Sequence, residues 1–120
     1  KLLIEADISS HQSFVVEEDG KIVGTFAFII GEDPTYQVIE KGAWRSTAPY
    51  GTIHRIASNG QVKGIAHQVF DFCYQEIPHL RIDTHADNKP MQAAILSYGF
   101  TECGVIYVAD GSPRLAYDYY

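Results

Sequence analysis

Residues 61–66, Gln-Val-Lys-Gly-Ile-Ala, constrain the fold more than any other stretch. They set a glycine turn between an apolar strand expected over 50–57 and an amphipathic helix expected over 62–75. The first N–H groups of a helix lack intrahelical partners and carry partial positive charge from the macrodipole, so a turn of this kind cradles anions. Gly64 admits a phosphate where a β-carbon would obstruct it, and Lys63 adds a mobile cation. A diphosphate is the guest this geometry suits.

The order of residues in that stretch is more specific than its glycine: Gln61, two free positions, Gly64, one free position, Ala66. A second block follows an apolar strand expected over 80–85. It runs Asn88, then Met91, then Gly99 and Phe100 eleven and twelve positions after the Asn. The first block resembles the acyl-CoA pyrophosphate loop of the GNAT superfamily of N-acetyltransferases, which reads Gln or Arg, x, x, Gly, x, Gly or Ala. The second resembles that superfamily's Asn after strand five, followed by a helix that closes on Gly-Phe. Both blocks occur in the superfamily's order and separation, and the resemblance extends from about Ser13 to Tyr119.

Residues 13–28 form two expected strands joined by Asp19-Gly20, a strong hairpin signal. Strand 50–57, helix 62–75, strand 80–85, helix 89–98 and strands 101–108 and 114–119 follow, an order that implies an α+β fold with a mixed sheet. The resemblance implies a GNAT-like, mostly antiparallel central sheet flanked by helices, with the hairpin second and third. Residues 1–8 carry Ile4 and Ile8 on one helical face and are expected to be a helix tail. On that reading the N-terminal strand and first helix are missing, and 1–120 is one N-terminally incomplete domain. The stretch 31–49 lacks periodicity and is long for a plain connection, so Trp44 is expected either to lid the core or to meet substrate.

With 46% hydrophobic and 20% charged residues, 120 residues suffice for one core. No apolar run approaches the ~20 residues a membrane helix needs. No signal peptide is recognisable, so the cytoplasm is the expected location and no membrane partner is expected. Nine basic residues against fifteen acidic ones, net −6, oppose a nucleic-acid partner and suit a cationic acceptor such as an amine. Mild acidity is also an ordinary solubility device. Cys73 and Cys103 lack metal-ligand spacing and are expected to be buried, reduced thiols, with no metal.

Transfer from an acyl-CoA to an amine requires loss of a proton from nitrogen, polarisation of the carbonyl and release of a thiolate. In the resembled fold, strands four and five splay apart and the pantetheine arm lies in the gap. Carried onto this sequence, the resemblance assigns acetyl-CoA to the backbone of Ile56 and Ala57 and to the loop Gln61, Val62, Lys63, Gly64, Ile65 and Ala66. Asn88 reaches the arm from the other side. His54, two residues before Ile56 and expected on its face, is the leading candidate base because histidine titrates near neutral pH. The resembled family usually has Leu there, so a packed histidine is the alternative. Arg81, Asp83 and His85 alternate onto one face, as a cross-strand charge ladder or as groups that orient an ammonium. Asp83 beside His54 would complete a base pair.

Many members of the resembled family place a Tyr four residues before the helix-ending Gly, where it protonates the departing thiolate; here that residue is Ile95. Tyr98, ~60° off the same helix face, is the substitute acid; alternatively a thiolate whose thiol has a pKa of ~8.5 leaves unassisted. Tyr107, Tyr117, Tyr119 and Tyr120 surround the turn at 110–113, with Leu115 and Tyr117 on one face, and are expected to pack. In the resembled fold this hairpin borders the acceptor pocket or a dimer interface, which admits a homodimer. The resulting expectation is an acetyl-CoA-dependent N-acetyltransferase acting directly on an amine of a small molecule or a peptide N-terminus. The competing class is a non-catalytic acyl-CoA-binding sensor or scaffold. An unrelated α+β domain would need both blocks to be coincidence.

Overall fold

The computed structural model describes residues 2–6, 13–58 and 64–120. Strands β2 (Ser13–Glu18) and β3 (Lys21–Ile30) form the expected hairpin around Asp19 and Gly20. Ahead of them β1 (Leu2–Ala6) pairs antiparallel with β2, Ile4 opposite Val16. The helix tail expected over 1–8 is thus overturned across 2–6, and Ile8 lies outside the described residues. The open edge of β2 satisfies the backbone of β1, and a period of two turns Ile4 inward while Leu3 stays exposed. Two isoleucines four apart fit either period, and pairing decides between them.

The chain continues through β4 (Gly51–Ser58), α1 (Ile65–Glu76), β5 (Leu80–Thr84), α2 (Lys89–Tyr98), β6 (Thr101–Tyr107) and β7 (Pro113–Tyr119). The described strands make one seven-stranded sheet in the order β1-β2-β3-β4-β5-β7-β6, antiparallel everywhere except between β4 and β5. Parallel neighbours need a crossover, and α1 supplies it. Both helices cover one sheet face. Ile65, Val69, Phe70 and Cys73 of α1 and Ile95 of α2 are buried there with Phe26, Phe28, Ile53, Leu80, Ile82 and Tyr117. Asn88 caps α2, its Oδ1 accepting the Met91 N–H at 3.2 Å, and Gly99 ends the helix. Helix α1 is described from Ile65; Gln61, Val62 and Lys63 lie outside the described residues. No described helix is long and apolar enough to cross a membrane.

The opposite face is covered by the segment after β3, which contains a single 3₁₀ turn, Pro34–Tyr36. Tyr36, Tyr50, Ile106 and Ala116 form a second buried cluster with Ile39, Trp44 and Val108 against it. Trp44 therefore lids this cluster, its Nε1 donating to the Tyr36 carbonyl at 3.0 Å. The Arg81 guanidinium lies 4.1 Å from the Trp44 ring and 3.9 Å from the Tyr50 ring, and Nη2 donates to Ser46 O at 2.9 Å. Arg81 also stands directly opposite the buried Asp118 of β7, whose charge acts on it, as the expected cross-strand ladder requires. Arg45 Nε donates to the fully buried Asp118 at 2.6 Å. Backbone bonds of 2.8 Å in both directions join Glu40 to Val105. Beside that bridge a β-carbon on Gly42 would overlap the Cys103 carbonyl, and one on Gly104 the Glu40 carbonyl. Tyr117 is buried and Tyr119 packs beside it, whereas Tyr107 and Tyr120 are exposed.

His79 sits under the same segment, its Nδ1 donating to Ala48 O at 3.1 Å while Nε2 is buried without a hydrogen-bond partner among the described residues. Burial lowers the His79 pKa, the bond to Ala48 opposes the shift, and the Arg81 charge adds to it. A depressed imidazole stabilises the fold above its unfolded pKa of about 6.5, and that contribution is lost as pH falls toward the folded value. Urea midpoints should therefore drop as pH is lowered below about 6.5, and His79→Gln should flatten this dependence. An unchanged slope in the variant would assign the acid sensitivity elsewhere.

Candidate functional site

Strands β4 and β5 pair at three positions, Gly51 with Leu80, Thr52 with Arg81 and Ile53 with Ile82, and then part. Just beyond, β4 bulges. Between the pairs Ala27–His54 and Thr25–Ala57 it holds two residues where β3 holds one, and Arg55 takes a φ of 55°. The extra residue reverses the alternation of faces. Ile56 packs on the helix side, whereas His54 turns to the opposite side and meets Asp33. The shared face expected for His54 and Ile56 is corrected by this bulge.

Two adjoining cavities occupy the parting. A groove of about 600 Å³ runs between the starts of α1 and α2, lined by Ile56, Gly64, Ile65, Ala66, His67 and Asn88 among others. The structure thus brings together five of the residues expected to bind the co-substrate. Ala57 is not among them; it borders a shallow depression over β3 with Gly24 and Thr25. Gly64 is exposed with φ 78°, a left-handed conformation that L side chains rarely adopt, and a β-carbon there would meet nothing within 4 Å. It offers α1 no side-chain cap, so the first N–H groups of that helix depend on another acceptor. His67 ties the helices together, its Nε2 lying 3.2 Å from Ala94 O and 2.9 Å from Ser97 Oγ. The second cavity, about 220 Å³, is the slot between β4 and β5; Ile53, Ile82, Asp83 and Arg114 line it, and it shares Ile56, Asn88 and Met91 with the groove.

The expected His54–Asp83 pair does not form, because the β4–β5 ladder ends one residue before them. His54 Nε2 lies 3.0 Å from Asp33 Oδ2, and Asp83 Oδ1 accepts the Tyr36 hydroxyl at 2.6 Å. The Tyr36 and His54 rings are 6.5 Å apart, so the two pairs are neighbours on the loop side of the sheet. Asp33 also accepts from the N–H and hydroxyl of Thr35, at 2.9 and 2.7 Å. Burial works to raise its pKa, but the two Thr35 bonds and the His54 contact outweigh it and hold the carboxyl below its usual range. Burial, then the Asp83 charge and hydrogen bond, push the Tyr36 phenol well above its usual range, so it is a fixed donor. Asp83 lines the slot; His54 borders neither cavity.

Ile95 is fully buried in the helix-side core. Tyr98 points away from both cavities. Its hydroxyl donates to Asp71 of α1 at 2.6 Å and its ring packs 5.1 Å from those of Phe70 and Tyr119. Burial and then the Asp71 bond raise the phenol far above its usual range. The substitute-acid position expected for Tyr98 is therefore corrected: helix-end packing claims the ring, and no tyrosine lines either cavity among the described residues. Cys73 and Cys103 are free and buried, and burial raises both thiols, Cys103 to about 11. Asp33, Tyr36, Arg55 and Arg114 went unrecognised in the sequence. Only Asp33 carried a local mark, an Asp-Pro-Thr turn start.

No protein-family model matches the chain, and no curated protein sequence matches it. Solved structures do. A GNAT-family acetyltransferase from Streptococcus agalactiae 2603 is 33% identical with a TM-score of 0.81, over 90% of this chain and 64% of that one. A GNAT-family acetyltransferase from Listeria monocytogenes 4b F2365 is 17% identical, TM-score 0.65, over 92% and 65%. RimJ of Mycobacterium smegmatis, solved in complex with CoA-disulfide, is 18% identical, TM-score 0.59, over 90% and 53%. The chain thus spans less than two thirds of the length of each of these structures.

Tyr98→Phe removes one hydroxyl and leaves the ring packing. It should cost about 1 kcal/mol of stability in urea denaturation, the usual contribution of one hydrogen bond. A loss of several kcal/mol would show that the Tyr98–Asp71 contact carries more of the α1–α2 junction than its geometry indicates.

Proposed function

From the GNAT fold that this chain has, we propose that it is an acetyl-CoA-dependent N-acetyltransferase that transfers the acetyl group directly to an amine. The observation that carries this reading is the continuity of the two cavities: a groove beginning at a helix N-terminus to which Gly64 gives no side-chain cap runs into a slot that holds a carboxylate. The residues fit the co-substrate. The open space over Gly64 and the first N–H groups of α1 suit a diphosphate. Ile56, Met91 and Ala94 offer an apolar wall to the pantetheine arm, and the Asn88 amide stands where groove meets slot. Bound there, acetyl-CoA supplies an activated acyl group. Gln61, Val62 and Lys63 complete the loop on this reading.

Within the slot Asp83 is the group to hold an acceptor ammonium and to take the proton that frees its lone pair; the neutral amine then forms the C–N bond as the C–S bond breaks, and a second proton leaves nitrogen. Tyr36 fixes one Asp83 oxygen and leaves the other to the nitrogen. His54, locked to Asp33 on the loop side, supports the network from behind. With no tyrosine facing the cavities, the thiolate leaves without a phenol donor, and the proton released from nitrogen balances it. The acceptor is an amine-bearing small molecule, since a slot of about 220 Å³ is small. A sensor that binds acyl-CoA without turnover is the second reading, favoured by the buried Ile95. Thiol release from acetyl-CoA with a panel of amines separates the two, and a CoA-induced melting shift is required by both.

Two variants probe the assignment. Gly64→Val strains a left-handed position and drives a branched side chain into the groove, so the CoA-induced melting shift should vanish. Retention of the full shift would refute the cradle. Asp83→Asn should lower turnover by about 10²-fold or more with the CoA shift intact, whereas His54→Ala should cost less. The reverse ranking would return the base role to His54.

A further inference from the structure

The slot between β4 and β5 contains two cations that proton transfer does not use. Arg114, at the start of β7, lines it together with Asp83, and Arg55 reaches it from the bulge. Asp83 is opposite Ala116, and Arg114 is two residues farther along β7, so both side chains leave the same sheet face at a diagonal spacing of about 7–8 Å. Arg45 reaches Asp118, and Arg81 is clasped by two rings and bonded to Ser46 through Nη2, its Nε buried without a hydrogen-bond partner among the described residues. In Arg114 too the Nε is buried without a hydrogen-bond partner among the described residues, but this guanidinium lines a cavity instead of lying between rings. Arg55 is exposed and held at a φ of 55°. Such strain in a non-glycine residue clusters where a ligand is gripped. Two guanidiniums in one small cavity also run against a chain of net charge −6.

We propose that the slot recognises an acceptor amine that also carries a carboxylate, a small zwitterion of the free α-amino acid type, with Arg114 and Arg55 on the carboxylate and Asp83 on the ammonium. The planar guanidinium fork matches a carboxylate in two-point contact. Gripping the acid end fixes the nitrogen at Asp83, on the side where Ile56 and Asn88 join slot to groove. A peptide N-terminus, whose neighbouring carboxyl is an amide, leaves both guanidiniums unmet and is discriminated against. This inference rests on the acetyl-transfer reading of the same site.

The test compares free L-amino acids with their C-terminal amides and with the corresponding decarboxylated amines, by melting shift of CoA-loaded protein and by thiol release from acetyl-CoA. The acids should raise the melting temperature where the amides do not, and should exceed the amides by about tenfold or more in kcat/KM. Arg114→Gln should raise the KM for the acids and collapse this preference, with Arg114→Lys recovering part of it. Arg55→Gly relieves the left-handed strain, so it keeps the fold while raising the same KM. Amides that bind and react as well as acids, or a preference that survives both Arg114→Gln and Arg55→Gly, would overturn the proposal. A melting shift that needs both the carboxylate and Arg114, without thiol release, would sink acetyl transfer and leave the recognition standing. Thiol release indifferent to the carboxylate would do the opposite, and neither signal with any acid would remove both.

Discussion

The parting of β4 from β5 beyond Ile53 and Ile82 is the constraint on which the rest of the structure depends. Among the described strands this is the parallel pair, and after three positions the facing edges of β4 and β5 no longer bond each other, so the sheet opens between them. The slot so formed has the helix-side groove on one side and the loop-side network on the other. The bulge at Arg55 then lets a single strand serve both, giving Ile56 to the groove and His54 to the network.

The loop side holds its shape because the segment after β3 is fastened from beneath. Arg81 lies on β5 itself, two residues before Asp83, so the strand that carries the slot carboxylate also carries the cation that binds Trp44 and Tyr50. Tyr36 reaches Asp83 from a segment fixed by that cation, and Asp33 reaches His54 from the same short turn. A displacement of the segment would therefore be felt at both carboxylates together.

Features written in neighbouring residues were legible in the sequence. Helix α2 spans the expected 89–98 because its start at Asn88 and its stop at Gly99 are local chemistry. Ile56, Gly64, Ile65, Ala66 and Asn88 gather around one groove because two short blocks each open a helix beside a strand end. The partners of the titratable groups were not legible. Asp33 is 21 residues from His54, and Tyr36 is 47 from Asp83, in a stretch without periodicity. Arg55 has no turn propensity to announce a bulge, so strict alternation put His54 on the wrong face. The pairing of β1 was hidden for a related reason: Ile4 and Ile8 satisfy a helical period as readily as a strand, and the free edge of β2 belongs to the fold rather than to the segment.

Gly42 and Gly104 have a reciprocal relation, each backing onto a carbonyl from the other's stretch of chain. At this junction main chain touches main chain, with no ionisable or oxidisable atom in the contact even though Cys103 is adjacent. The outer end of the segment is thus held by a main-chain joint, beside which the Glu40 carboxylate accepts the Tyr107 hydroxyl at 3.0 Å. A methyl group on either glycine would wedge the same gap, so trimming the other cannot relieve it. The two positions form one site as far as mutational drift is concerned, closed to single-step exploration.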